Sequence, residues 1–281
     1  MRINKIKHKT ACLTFDVEPD FTTRPGAPHH IGLFEDESSF NKWTGYVKDK
    51  SLPITCFVVG DVLKENPASI KKLLDCGAEF GSHSLSHDLD RQESEQEIRG
   101  GILTFKNYFG HTPEGYRSPR GRLKKGMITM LEEEGIRYDS SLIPSVRPGV
   151  YWNGNRPLAP FRWKDSKIIE IPMGVLPVIR LQFALSYIKI FSPISYRILN
   201  NFFGLPDPLV ILFHPMDMVF HPSAFENMNL SWKMAYSINR VNSFSYFYWM
   251  IDWLDKQGYS FEPVSKLLNE LSQQTLSEVD Y

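Results

Sequence analysis

Thr14-Phe15-Asp16-Val17-Glu18, entered through Ala11-Cys12-Leu13, is the stretch whose reading decides the fold. A short run of apolar or small residues, partly aromatic or β-branched, ends in two carboxylates at i and i+2 and an acidic loop holding Pro19. That pattern predicts a buried strand whose C-terminal end opens into a site. Residues i and i+2 of an extended segment point to the same side, so Asp16 and Glu18 face one pocket. Two carboxylates that close repel each other and require a positive group beside them, a metal ion or an arginine.

Outward from this strand, the chain alternates. Residues 53–60 form a near-continuous apolar run, the mark of a strand covered on both faces. Shorter strands are expected at 78–82, 115–117, 136–139, 168–172 and 259–261, and a further buried strand at 209–213. Helical spacing of apolar residues predicts helices over 36–50, 67–76, 94–109, 124–134 and 241–257, with a last one ending near Leu271. Strand–helix alternation with buried strands argues an α/β fold with a mainly parallel sheet. Polar residues collect where four strands end: Asp16 and Glu18, His83 and His87, Arg117, and His214. In open α/β sheets and in (β/α) barrels the site lies at those ends, and barrel-like closure lets four separate strands converge on one point.

Composition sets the outer bounds. A chain of 281 residues fits one large α/β domain or two small ones. Lys+Arg and Asp+Glu are equal at 32 each, which argues against a nucleic-acid partner. Cys12, Cys56 and Cys76 are odd in number and lack CxxC spacing, so they read as reduced thiols of a cytoplasmic protein. Residues 1–10 are basic and polar without an apolar core, so no signal peptide is expected. No stretch reaches the roughly 18 uninterrupted apolar residues of a membrane span.

The polar clusters suggest chemistry. His83 and His87 stand at i and i+4, a spacing that on a helical turn puts two imidazoles on one face. Two histidines and a carboxylate make an open site for a hydrolytic divalent ion, zinc foremost, which activates water. Of Asp16 and Glu18, one ligates and the other takes a proton. Arg117 is suited to hold the carboxylate left off the metal. His214, between an apolar strand and Pro215, is a candidate general acid.

Taken in order, Thr14-Phe15-Asp16-Val17-Glu18, His83-Ser84-Leu85-Ser86-His87, Arg117-Ser118-Pro119-Arg120-Gly121 and Leu212-Phe213-His214 resemble the motifs of the polysaccharide deacetylase family. The resemblance implies a distorted (β/α) barrel, a single domain over residues 1–281, and metal-dependent hydrolysis of an N-acetyl or related C–N bond. By the same resemblance Asp16 is the base, and Glu18, His83 and His87 hold the metal. Arg117 orients the base, the backbone N–H of Arg120 serves the oxyanion, and His214 is the acid. The substrate implied is an N-acetylated sugar in glycan assembly. Two features depart from the family pattern. The second acid of the first motif is a glutamate two residues on, not an adjacent aspartate. The family's Asp-Trp motif has no clear counterpart; Asp139 lies in the right interval without a neighbouring tryptophan.

Three segments carry further expectations. Residues 21–30 and 140–163 read as loops around the substrate, the second offering Trp152 and Trp163 to a pocket, the core or the surface. Residues 179–203 are rich in large apolar side chains, carry basic residues and no acidic one, and are broken by Pro193. They read as two helices packing on the barrel or as an amphipathic element on a membrane surface. The second option suits an enzyme acting on a lipid-linked sugar at the inner face of a membrane. Alternative functions with the same residues are hydrolysis of a formamido sugar or cyclic amide, and a catalytically silent carbohydrate-binding homologue.

Overall fold

Lys9–Val17 forms strand β1, and from Ala11 onward every residue of it is buried. In this computed structural model, residues 9–20, 30–148, 150–219, 221, 224–225, 228 and 230–281 are described. Most of the loop read at 21–30 therefore lies outside the described residues. β1 is the hub of the sheet. It pairs in parallel with β10 (Leu209–Phe213) along one edge, and along the other with β11 (Tyr259–Phe261) at its start and β2 (Ile54–Val58) over the rest. Beyond β2 follow β3 (Glu79–Ser82), β4 (Gly115–Tyr116), β5 (Tyr138–Asp139) and β9 (Ile169–Glu170), each parallel to its neighbour. β8 (Phe161–Trp163) runs antiparallel to β9, and β12 (Glu278–Val279) lies on its outer edge.

The ring closes through irregular chain, not through a strand. Ile171 N–H donates to the Asp139 carbonyl, Met173 N–H to Leu142, and Gly174 N–H to Val210 at 2.7 Å. Ala184 then bridges Leu212 in parallel. This is the distorted barrel that the motifs imply. The loop expected over 140–163 is partly ordered into a hairpin of β6 (Val146–Arg147) and β7 (Tyr151–Trp152), and it ends in β8.

Period-two alternation sorts β1 into two faces. Ala11, Leu13, Phe15 and Val17 join the outer core under the helices. Cys12 belongs to the interior cluster with Phe57, Tyr138 and Val210. Thr14 and Asp16 follow on that same inward face. Phe15 stacks on its register partner Phe213 at 4.8 Å, and Trp43 and Phe247 complete the outer aromatic cluster.

The helices follow local rules. α1 (Gly32–Glu35) is one turn. α2 (Glu37–Asp49) is capped by Asp36, which accepts from Ser39 N–H, and buries Phe40, Trp43 and Val47. After α3 (Gly60–Glu65), α4 (Pro67–Asp75) starts at proline and is followed by Gly77 at φ 81°. α5 (Glu95–Phe109) has Ser94 as its cap and stops at Gly110, φ 78°. α6 (Lys125–Glu133) precedes β5. α7 (Leu185–Phe203) bends at Ser192, φ 70°, just before Pro193, so the expected break is present within one element. α8 (Pro215–Met218) and α9 (Leu230–Ser237) follow β10. α10 (Ser243–Lys256) covers the outer core. α11 (Val264–Ser272) sends Val264 and Leu268 into the interior cluster, filling the end of the barrel away from the motifs.

Asp139 and Glu170 are register neighbours on β5 and β9, both fully buried. Burial raises both carboxyls; Glu170 is pushed furthest, by burial and by the charge of Asp139, so the pair keeps a proton. A carboxyl raised on folding stabilises fully below its unfolded pKa of about 4.3 and loses that contribution as pH rises through the folded value. The thermal midpoint of Glu170→Gln, which cannot ionise, should therefore gain on the wild type as pH rises from 5 through the alkaline range, by scanning calorimetry. A constant difference across pH would contradict the shared proton.

Candidate active site

β1 and β3 deliver the first group. Glu18 Oε2 lies 3.1 Å from His83 Nε2 and 2.6 Å from His87 Nε2. One carboxylate oxygen thus meets two imidazole nitrogens, and all three ligand atoms fall within 4.8 Å of one another. The histidines are not on a helical turn, contrary to the spacing argument. His83 ends β3, and the chain turns through Ser84 (φ 66°) and His87 (φ 60°), both left-handed, so a loop brings i and i+4 together. Gly60 N–H donates to Ser84 O and Asp61 N–H to Leu85 O. Buried Glu97 accepts from Ser86 N–H and Oγ–H at 2.9 and 2.7 Å. A side chain at Gly101 on α5 would meet the Ser84 carbonyl carbon at 2.4 Å, so only glycine lets the helix this close.

These residues fit a divalent metal. His83 Nδ1 lies 2.7 Å from the Arg117 carbonyl, so its proton sits there and Nε2 turns its lone pair to Glu18. His87 Nε2 is buried and makes no hydrogen bond of acceptable geometry despite its closeness to Glu18. An orphaned buried nitrogen beside a carboxylate and a second imidazole is the donor set that a cation would satisfy. Burial opposes the Glu18 charge, yet His87, His83 and His214 hold its carboxyl well below the ordinary range.

Asp16 is held by Arg117. Its Oδ1 accepts from Arg117 Nη1 at 2.6 Å, and its Oδ2 lies 4.0 Å from both His83 Nε2 and His214 Nε2. Arg117 is fully buried and also donates to Thr14 Oγ1, Ser140 O and Ser140 Oγ, with Phe57 stacked on its plane at 4.2 Å.

His214 ends β10 and begins α8. Its Nδ1 lies 3.1 Å from Asp217 Oδ2, and the same oxygen accepts the His214 N–H at 2.9 Å. Burial alone would depress the imidazole; the hydrogen bond to Asp217, with the charges of Glu18, Asp217 and Asp16, lifts it to about 9. Asp217 was not singled out from the sequence. The signal was available, because a residue three positions into a helix that starts at His214-Pro215 is placed to reach back to its cap. Asp139, in the interval of the Asp-Trp motif, accepts from Ser141 N–H and Oγ–H, while Ser141 Oγ accepts from Ser118 N–H. It steadies the turn that carries Arg120.

Asp16, Glu18, His87, Arg120 and His214 all line one cavity of about 660 Å³. Arg120 stands in the left-handed region at φ 55°, strain at the very turn the motif marks. Ile143, Arg147, Val150 and Tyr151 from the 140–163 segment, Tyr187, Ile190 and Phe191 from α7, and Tyr236 from α9 form its walls. Trp152 is exposed and Trp163 is buried on Glu170, so neither tryptophan reaches it. A second His/Glu group lies outside this cavity: His30 Nδ1 and His221 Nε2, with rings stacked at 4.1 Å, approach Glu35. There each nitrogen takes a different oxygen of Glu35, at 2.8 and 3.2 Å, whereas at Glu18 both imidazoles meet one oxygen.

Known proteins resemble this chain in sequence and in fold. Residues 4–138 match the family model for polysaccharide deacetylase. A peptidoglycan deacetylase of Helicobacter pylori is 26% identical over 161 residues, covering 50% of this chain and 54% of that protein. A peptidoglycan-N-acetylglucosamine deacetylase of Bacillus cereus is 25% identical, covering 46% of this chain and 54% of that protein. The chain thus spans about half the length of these relatives. Among solved structures, a polysaccharide deacetylase candidate from Mycobacterium smegmatis covers 97% of this chain and 94% of its own, with a TM-score of 0.60 and 18% identity. A CE4 family pseudoenzyme from Bacillus anthracis covers 98% of this chain and 70% of its own, with a TM-score of 0.51 and 14% identity. These two likenesses establish the fold.

Gly101→Ala should force the ligand loop away from α5. Overpacking of this kind costs about 1–3 kcal/mol, and a displaced supporting shell costs roughly 10–100-fold in metal affinity. Zinc or cobalt titration of the folded variant by calorimetry checks this; unchanged affinity would show that α5 does not set the loop.

Proposed function

Its residues 4–138 place the chain in the polysaccharide deacetylase family, and from that premise we propose that it is a metal-dependent hydrolase removing the N-acetyl group of a sugar. One observation carries the reading: Glu18, His83 and His87 converge on a point beside an ion-paired Asp16, with His214 across the same cavity. A single divalent ion held by Glu18, His83 and His87, zinc in this proposal, supplies Lewis-acid polarisation of the amide and a water of lowered pKa. Asp16 receives a proton from the attacking water, and the Arg117 guanidinium orients that carboxylate. The N–H of Arg120 donates to the developing oxyanion. His214, kept protonated by Asp217, gives its proton to the departing amine.

The cavity suits a sugar. Tyr151, Tyr187, Phe191 and Tyr236 offer aromatic surface, and Arg147 and Gln182 offer polar contacts among them. The 140–163 segment is the substrate loop in this reading, within a single catalytic domain. Three free thiols, two of them buried, support a reducing, cytoplasmic setting, and with it a role in assembling a glycan, not in trimming one outside the cell.

The test is metal content together with acetate release from free, nucleotide-linked and lipid-linked N-acetylhexosamines. About one equivalent of divalent metal with acetate release is expected, and Asp16→Asn should lower the rate by roughly 10²–10⁴-fold at unchanged metal content. Metal without acetate would move the activity to formamido sugars or cyclic amides. No metal even with added zinc or cobalt would overturn the hydrolase and leave a binding homologue.

Asp217 gives a pH test. Its negative charge raises the His214 pKa, so Asp217→Asn, which keeps a hydrogen-bond acceptor, lowers it. The alkaline limb of kcat/KM should shift to lower pH. An unmoved limb would mean that another group supplies the acid.

A further inference from the structure

α7 and α9 flank the mouth of the cavity, and each has two apolar faces. The inner faces belong to the site: Tyr187, Ile190 and Phe191 of α7 and Tyr236 of α9 line it. Asn239 Nδ2 donates to Lys189 O at 2.8 Å, tying the end of α9 to the first arm of α7. Among the described residues nothing covers the outer faces. Beyond the bend of α7, Ile194, Ile198 and Phe202 stand at i, i+4 and i+8, one stripe along the helix, with Ile194 68% and Phe202 77% exposed. Leu230 and Met234 make the matching i, i+4 pair on α9, and the chain continues through Ile238 to Val241, 94% exposed. Phe191, half-exposed and also a wall residue, joins this surface to the rim of the cavity. Large apolar side chains grouped in this way mark a surface that leaves water when the protein works.

Charge says what covers it. No acidic residue lies between Glu170 and Asp207 or between Glu226 and Asp252, in a chain that is neutral overall. The same two segments carry Arg180, Lys189, Arg197, Lys233 and Arg240. Lys189 is buried on Asp217 O and Arg180 is bonded to Pro144 O and Arg156 O, while Arg197 is exposed and Arg240, also exposed, lies over the Phe225 ring. An apolar face with cations at its border and no acid in its own two segments is complementary to the interface of an anionic bilayer. No helix of the described residues is long and apolar enough to cross a membrane, so the contact lies in the interface plane.

We propose that the outer faces of α7 and α9 dock on an anionic lipid surface and set the cavity rim at the headgroup level. Resting on the deacetylase reading above, this makes the substrate a sugar whose anchor stays in the bilayer while its headgroup enters beside Phe191.

The experiment is flotation of the full chain with vesicles of phosphatidylcholine alone and of phosphatidylcholine with phosphatidylglycerol. The wild type should float with the anionic vesicles and far less with the neutral ones. Ile194→Ser/Ile198→Ser/Phe202→Ser, and separately Leu230→Ser/Met234→Ser, should weaken that binding by roughly tenfold or more, as apolar side chains no longer leave water. Circular dichroism identifies which variants are folded. Both variants should release acetate from a water-soluble substrate at the wild-type rate, so lost docking and lost catalysis are read separately. A wild type that stays in the aqueous fraction, or folded variants that float equally well, would overturn the proposal. Equal flotation on both vesicle types would overturn the anionic surface. A dimer that both variants dissolve would show that a second copy of this chain covers the face.

Discussion

The guanidinium of Arg117 is the interaction on which the barrel and its site both depend. It is fully buried, yet four of its contacts go to different parts of the ring: Asp16 and Thr14 on β1, and the carbonyl and hydroxyl of Ser140 after β5. Phe57 on β2 covers its plane, and its own carbonyl fixes the His83 ring at the end of β3. A planar fork with five donors can make such a junction; a lysine, with three donors on one atom, cannot. Removing either partner of a buried pair leaves an uncompensated charge, at a cost of about 3–5 kcal/mol. Strand closure, the orientation of Asp16 and the tautomer of His83 therefore form one constraint.

That constraint follows from the alternation of β1. The residues at 11, 13, 15 and 17 bury against helices and fix the register. Register in turn leaves no choice for the inward set, since a slip of one residue would turn Asp16 into the aromatic cluster around Trp43. Glu18 lies one residue past the strand, where the chain leaves the pairing with β2, and its longer side chain reaches two imidazoles from there. The glutamate thus compensates for a main-chain position farther along than an adjacent second acid would occupy.

Strands made of continuous apolar residues, such as 54–58 and 209–213, were legible because burial on both faces leaves no other composition. So were the four polar clusters that follow strands. Less legible was everything decided by partners distant in sequence. β4, β5, β6, β7 and β9 are two residues long and exist through their neighbours, not through propensity. The i, i+4 spacing of His83 and His87 pointed to a helix, and the structure uses two left-handed residues instead, held by Glu97 and by the space at Gly101. No local pattern states that geometry, because its cause lies on α5. Asp217 was missed for a different reason. Its effect on His214 requires knowing that His214 is a helix cap, which is a boundary and not a periodicity.

The segment 179–203 shows how a two-way reading can be incomplete. Core packing and surface exposure appeared as alternatives for one apolar stretch. The bend at Ser192-Pro193 removes the alternative by changing which face each arm presents. Leu185 and Ile188 of the first arm enter the outer core with Leu176 and Phe183. Tyr196 carries the second arm inward, its ring against Phe183 and its hydroxyl donating to Gln182 O at 2.6 Å, and half-buried Leu199 packs on the same core. These two residues hold the second arm, while Ile194, Ile198 and Phe202 stay outside. The bend thus gives one helix a cavity wall on its first arm and an exposed apolar stripe on its second.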